Sequence, residues 1–354
     1  MDVGYLHIGK RGGGVRRYGR IIADEAGRRP DLTTTEADAG ERDASRQRLR
    51  ACAIELGACD VVHVQWKPAD WGSGWRAFRA LRSFMRASRP PVVATLHDVW
   101  ERRGLRQRWL DPDAIALRWL GRRAARLVVH SEEERQRLYG FVPPGQVSVV
   151  PHFVEERVMA DAEASRAALG LAGKRVITLL GFMVRRKGYR LTIEALPLLP
   201  PDVVALFAGA PISGREARAD ELRALADSLG VGDRVVITGY VEDERLDQVL
   251  AATHVAICPF RDLSASGSLS TWISTGRPIV TSDLPQLREY DAMVPGSLRI
   301  FRPLTAAAFA EAVRATLDGG PPAVDAKVVA LRERLLTPRI IEHYAELYSS
   351  VSGP

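Results

Sequence analysis

The residues best suited to chemistry are cations, glycines and small hydroxyls gathered into short loops. Residues 181–189 place Arg185, Arg186 and Lys187 side by side between Gly181 and Gly188. Arginine grips phosphate with a planar fork, and lysine acts as a point charge. Residues 259–268 run Pro259-Phe260-Arg261-Asp262-Leu263, then Ser264-Ala265-Ser266-Gly267-Ser268, just before a helical stretch. Small residues at a helix start leave several N–H groups open to one anion. A third loop, Gly12-Gly13-Gly14-Val15, follows the first apolar run. It is not the GxGxxG fingerprint, because the third glycine is missing and position 17 is Arg17. Taken singly, these loops also fit a solvated basic turn, a serine N-cap and a tight glycine turn. If the first and second share one sheet end, however, cationic side chains and amide donors form a clamp for a diphosphate.

Positioning such loops requires parallel strands with helical crossovers. Short, β-branched apolar runs at 3–8, 61–64, 91–95, 127–130 and 147–150 alternate with amphipathic stretches, as buried parallel strands do. A second series follows at 175–180, 203–207, 235–238, 255–258 and 278–281, with helical spacing at 220–229 and 244–252. The expected fold class is therefore α/β, with two Rossmann-like domains whose parallel sheets face each other across a cleft. The domains are expected at 1–153 and 154–336, and residues 337–354 supply a C-terminal crossover helix to the first. In that helix Ile340, Ile341, Tyr344 and Leu347 share one side.

Composition narrows the class. The chain has 354 residues, 46% hydrophobic and 26% charged, ordinary values for a soluble globular protein. No run approaches the roughly 18 apolar residues of a membrane span. The opening residues lack a signal-peptide pattern, so a cytoplasmic location is expected. Cys52, Cys59 and Cys258 have neither metal-ligand spacing nor the numbers for a disulfide framework. The net charge of +7 is uneven: residues 1–150 hold 27 Lys+Arg against 18 Asp+Glu, and the rest 23 against 25. With no recognition-helix, zinc-finger or RNP-type signature, charge alone does not make a nucleic-acid binder. The segment from Arg76 to Arg89 sets Phe78, Leu81 and Met85 against Arg79, Arg82, Arg86 and Arg89. Such a helix covers a sheet or lies peripherally on an anionic membrane. Oligomeric state is not readable.

In order and spacing, the motifs resemble family 4 of the retaining glycosyltransferases, of GT-B fold. The glycine loop resembles the family's first loop. Val61-Val62-His63-Val64-Gln65 resembles its "DVVHVH" strand, and Thr95-Leu96-His97-Asp98 its "T-x-H-D" segment. Val129-His130-Ser131 with Val149-Val150-Pro151-His152 resembles the entry to the interdomain linker. Residues 181–188 resemble the diphosphate loop, Gly239-Tyr240-Val241 the nucleobase segment, and Gly276-Arg277-Pro278-Ile279-Val280 the "G-x-P-V-V" run. The resemblance implies a hexosyltransferase using a nucleotide-diphosphate sugar and a hydroxyl acceptor, in bacterial natural-product or surface-glycan synthesis. It implies donor contacts from Gly13, Gly14, Arg186, Tyr240, Val241, Asp262, Ser266, Gly267, Ser268 and Thr271. Catalytic roles fall to His97, Arg185 and Lys187, with Arg186 an alternative to Arg185.

One departure stands out. The family's Glu-x7-Glu pair would fall at Leu263 and Thr271, so both carboxylates are missing. Asp262 can replace the first, and Thr271 offers one hydrogen bond to ribose. The loss also admits a non-catalytic nucleotide-sugar-binding homologue; a nucleotide-sugar epimerase shares the same architecture. No cofactor or metal is expected, since the cations can neutralise the diphosphate. Asp111-Pro112-Asp113 matches a metal motif by letters but reads as a helix start. Trp66, Trp71, Trp75 and Trp100 follow first-domain strands, where an aromatic face could stack on a sugar or cyclitol ring or simply pack.

Overall fold

The computed structural model describes residues 1–41, 44–99, 111–143, 145–212, 214–263, 266–319 and 324–353. The chain divides into two compact units, Met1–Phe153 with Thr337–Pro354, and Val154–Leu336. Val154 N–H donates to the Leu335 carbonyl (2.7 Å), tying together the two segments at which the chain enters and leaves the second unit.

The first unit is a six-stranded parallel sheet of β1 (Asp2–Ile8), β2 (Thr33–Gly40), β3 (Val61–Trp66), β4 (Val92–Leu96), β5 (Arg126–Val129) and β6 (Val147–Val149). Its order is β2-β1-β3-β4-β5-β6. The second contains β7 (Arg175–Leu180), β8 (Val203–Ala208), β9 (Val235–Gly239), β10 (Val255–Cys258), β11 (Ile279–Ser282) and β12 (Leu298–Phe301), ordered β12-β11-β10-β7-β8-β9. Strands β3, β8, β10 and β11 are buried at every position; β8 and β10 are accordingly apolar throughout, whereas β3 carries His63 and Gln65 and β11 carries Thr281 and Ser282. Each sheet reverses its winding once, between β1 and β3 and between β7 and β10. Loops diverge to opposite faces there, leaving a crevice at the carboxyl ends of those strands.

The sequence pattern did not reveal β2 and β12. Both are edge strands; β2 reads Thr-Thr-Thr-Glu-Ala-Asp-Ala-Gly and buries only two of its eight residues. Two helices begin on glycine: the first at Gly14, with Gly13 as its N-cap, and another at Gly267, with Ser266 as its N-cap. Glycine is a poor helix former, so its helical positions give no propensity signal. The helix after β7 ends at Ala195 and becomes a 3-10 turn over Leu196–Leu198, where Pro197 removes a donor. In the C-terminal helix, Thr337–Val351, the buried face carries Ile340, Ile341, Tyr344, Leu347 and Tyr348.

Candidate functional site

Adjacent pairing of β7 and β10 brings the cationic loop and the serine–glycine loop to one crevice in the second unit. Lys187 Nζ donates to Ser268 Oγ at 2.6 Å and to the Leu180 carbonyl at 3.0 Å. It also lies 5.1 Å from the centre of the Phe260 ring. Arg261 N–H meets the Arg186 carbonyl at 2.8 Å, stitching the two loops together. The expected clamp therefore has its two halves in direct contact.

Glycines make this closeness possible. Gly188 has φ +83°, and a Cβ there would stand 2.2 Å from the Pro259 carbonyl oxygen. At Gly181, φ +112°, a Cβ would fall 2.7 Å from Lys187 Nζ. Gly209, which sequence reasoning missed, would put a Cβ 2.0 Å from the Gly181 carbonyl oxygen. Its only sequence signal is its place directly after a buried strand. Tyr189 donates its hydroxyl to that same Gly181 carbonyl, fixing the loop from beneath.

Burial, the dominant influence, pulls the Lys187 ammonium from 10.5 down to about 8; the Cys258 thiol acts in the opposite sense, and Arg186 adds repulsion. A desolvated cation with few anionic neighbours gains more from an incoming anion than a solvated one does. At the helix start, Ser266 Oγ accepts from Leu269 N–H (3.4 Å) and meets Ser268 Oγ at 3.1 Å. Among the described residues, nothing beyond its own chain neighbours and helix lies within 4 Å of the Cβ position of Gly267.

The remaining second-unit residues differ in how well they fit. Arg185 and Arg186 are exposed on a 3-10 turn, Arg185–Lys187. Tyr240 is 65% exposed beyond β9, while Val241 packs against a small cluster that includes Val204 and Leu206. Asp262 is partly buried. Thr271 donates its hydroxyl back to the Gly267 carbonyl (2.8 Å), which occupies its one proton. Leu263 is buried, with its carbonyl bonded by Gln286 Nε2 (3.2 Å), so this position is core rather than site. Ser264 and Ala265 lie outside the described residues.

Gly13, Gly14 and His97 belong to the first unit. Gly13 N–H donates to the Lys10 carbonyl (2.8 Å), and among the described residues nothing beyond their own chain neighbours or, for Gly14, its own helix lies within 4 Å of the Cβ positions of Gly12 and Gly14. His97 follows β4 and is buried, with Nε2 2.7 Å from Gln65 Oε1. Tyr18 meets it edge-on at 4.9 Å, and His130 and His152 complete an aromatic cluster around Tyr18. Burial, chiefly, holds the His97 imidazolium well below 6.5, with His130 and His152 adding to the effect. Sequence reasoning missed Gln65, Tyr18 and His130 as neighbours of His97, because the contacts join residues far apart in the chain.

Other candidates resolve into structure. Trp66 and Trp71 are core residues with ring centres 5.4 Å apart, and Trp71 Nε1 donates to the Gln65 carbonyl (2.9 Å). Trp75 is half exposed, and Trp100 lies outside the described residues. Asp111 caps the helix Pro112–Arg123 by accepting from Asp113 N–H (2.9 Å), as its local sequence predicts. The basic helix spans Gly74–Ala87; it buries Leu81 and Phe84 and leaves Arg79, Arg82 and Arg86 exposed. Among the described residues, no group of His, Cys, Asp and Glu could hold a metal ion, and no helix is long and apolar enough to cross a membrane. All three cysteines are free and buried.

Two six-stranded parallel sheets of this topology are those of the GT-B class. The fold agrees with that of HepE from Anabaena, solved in complex with UDP: TM-score 0.77 over 99% of this chain and 100% of that one, at 17% identity. Residues 14–157 match Glycosyltransferase Family 4, and residues 174–319 match Glycosyl transferases group 1. The chain belongs to the family 4-like glycosyltransferases. It is 28% identical to the D-inositol 3-phosphate glycosyltransferase of Mycolicibacterium gilvum over 66% of this chain and 53% of that protein. It is also 28% identical to the 2-deoxystreptamine glucosyltransferase of Streptomyces kanamyceticus, over 65% of this chain and 60% of that one. The chain thus spans little more than half the length of these relatives.

Proposed function

We propose that the chain transfers a sugar from a nucleotide-diphosphate sugar to a hydroxyl acceptor, with retention of anomeric configuration. The observation that carries this reading is the 2.6 Å contact between Lys187 Nζ and Ser268 Oγ, which sets a desolvated cation beside open helix-start amides. The leaving diphosphate gains negative charge as the glycosidic bond breaks. Preorganised donors aimed at that charge lower the barrier, each worth about 2.7–4 kcal/mol. We assign this role to Lys187 and the backbone at Gly267 and Ser268, with Arg185 or Arg186 reaching in from the turn and Gly13–Gly14 assisting. Charge neutralisation then needs no metal ion. Tyr240 and Val241 flank the base, Asp262 and Thr271 meet the sugar and ribose, and His97 positions the transferred sugar.

The UDP in the HepE complex makes uridine donors the first choice for assay. The named acceptors of the two relatives, D-inositol 3-phosphate and 2-deoxystreptamine, are both six-membered carbocyclic polyols, which favours a cyclitol acceptor and natural-product or surface-glycan synthesis in a bacterium. A cytoplasmic location, with peripheral membrane contact through Arg79, Arg82 and Arg86, fits the exposed basic face.

The test is transfer from a panel of uridine and guanosine diphosphate sugars to cyclitols, by the full chain and by Lys187→Ala. Loss of one such donor predicts a fall in turnover of about 10²–10³-fold, together with loss of UDP-induced thermal stabilisation. Unchanged turnover in the variant removes Lys187 from the site. A second reading, a donor-binding homologue without transferase activity, is favoured by the buried Leu263 at the first glutamate position. It predicts stabilisation by donors with no transfer to any acceptor.

A further inference from the structure

Beneath His97, a continuous run of buried hydrogen bonds reaches the C-terminal helix. Gln65 lies between His97 and His63: its Oε1 is 2.7 Å from His97 Nε2, and its Nε2 is 3.3 Å from His63 Nε2. The unequal distances orient the amide. A 2.7 Å separation suits N–H···O, whereas the flipped amide would force two nitrogens to 2.7 Å. Gln65 therefore accepts from His97 Nε2–H and donates to His63 Nε2. His63 is wholly buried and neutral, so its proton sits on Nδ1, 2.7 Å from the Tyr348 hydroxyl. Thr95 Oγ1, 2.8 Å from His63 Nε2, donates to the same lone pair and is followed by the Tyr344 and Tyr18 hydroxyls at 3.2 and 2.9 Å. Tyr348, accepting from His63, is left to donate to the Tyr5 hydroxyl at 3.2 Å.

We infer that Gln65 is a positioning residue: it holds His97 as the Nε2–H tautomer, with the lone pair on Nδ1, and Tyr348 of the C-terminal helix anchors it through His63. The inference deepens the proposed function, since it rests on His97 meeting the donor sugar. Which ring nitrogen carries the proton decides whether His97 offers a donor or an acceptor from each edge, and a neighbouring hydrogen bond sets that choice.

The test is ¹⁵N NMR of the histidine rings in the full chain, with His97 assigned by comparison with His97→Ala. The expected wild-type spectrum has Nε2 protonated and Nδ1 bare. Gln65→Leu should allow the Nδ1–H form to appear and lower kcat by about tenfold, the scale of one orienting hydrogen bond, with little change in donor KM. Gln65→Glu, the isosteric control should the leucine variant misfold, should keep Nε2–H. It should also shift the acid limb of the pH profile upward, despite His130, His152, His63 and Lys67, which all disfavour the imidazolium. Tyr18 also faces His97 edge-on, and Asp98, the next residue, lies 3.9 Å from Lys67. A wild-type His97 protonated on Nδ1, or a tautomer unmoved by Gln65→Leu, overturns the inference. The expected tautomers with unchanged turnover in both variants would support the positioning and count instead against His97 in sugar transfer.

Discussion

Replacing Lys187 with methionine should stabilise the free protein near neutral pH while abolishing its response to nucleotide. Burial lowers the ammonium from 10.5 to about 8 in the folded chain. Between those values the unfolded chain binds more protons, so stability rises with pH through the window and is lost as pH falls from 10.5 to 8. At about 1.4 kcal/mol per tenfold change in proton affinity, the loss comes to roughly 3 kcal/mol. Methionine removes this cost along with the bonds to Ser268 and Leu180, each worth about 1 kcal/mol net. Near pH 7.5 Lys187→Met should therefore be more stable by about 1 kcal/mol, and near pH 10.5 less stable by about 2 kcal/mol. Urea denaturation of both proteins across this range, with and without UDP, gives the comparison. A stability difference that does not change with pH, or a variant that UDP still stabilises, would refute the picture of a desolvated cation waiting for an anion.

Acid should weaken the first unit first. Burial holds His63 and His130 down to about 3 and His152 to about 4. Their stabilisation is present above 6.5 and lost as pH falls below it, by up to about 1.4 kcal/mol per pH unit for each ring; urea midpoints at pH 7, 6 and 5 should show the steepening. Gly188→Ala adds a side chain at φ +83° against the Pro259 carbonyl. It should cost about 1–3 kcal/mol and remove UDP-induced stabilisation, whereas an unchanged thermal shift would mean the loop is not part of the site. Sedimentation with anionic vesicles should fall when Arg79, Arg82 and Arg86 become glutamate, and equal binding by the triple variant dismisses that face.

The two-sheet class was legible in the sequence because buried parallel strands such as β8 and β10 advertise themselves as unbroken apolar runs. β2 carries no such signal, because it is mostly polar and buries only two of its eight residues. At residues 181–188 and 266–268 composition left anion binding beside a solvated basic turn and a serine N-cap, because short glycine, lysine and serine runs serve all three.

What the sequence determined by itself was a supply of strands, helix starts and cationic loops in a fixed order. Only the tertiary structure decided which loops meet, because neighbours in a parallel sheet follow winding order rather than chain order: β7 lies against β10, some eighty residues later, and that adjacency sets Lys187 on Ser268. The same holds for Gln65, an unremarkable strand residue by sequence. Its amide acquires a role only when His63 and His97 flank it and Tyr348 of the C-terminal helix bonds the far side of His63, because a buried amide gains from each partner it finds.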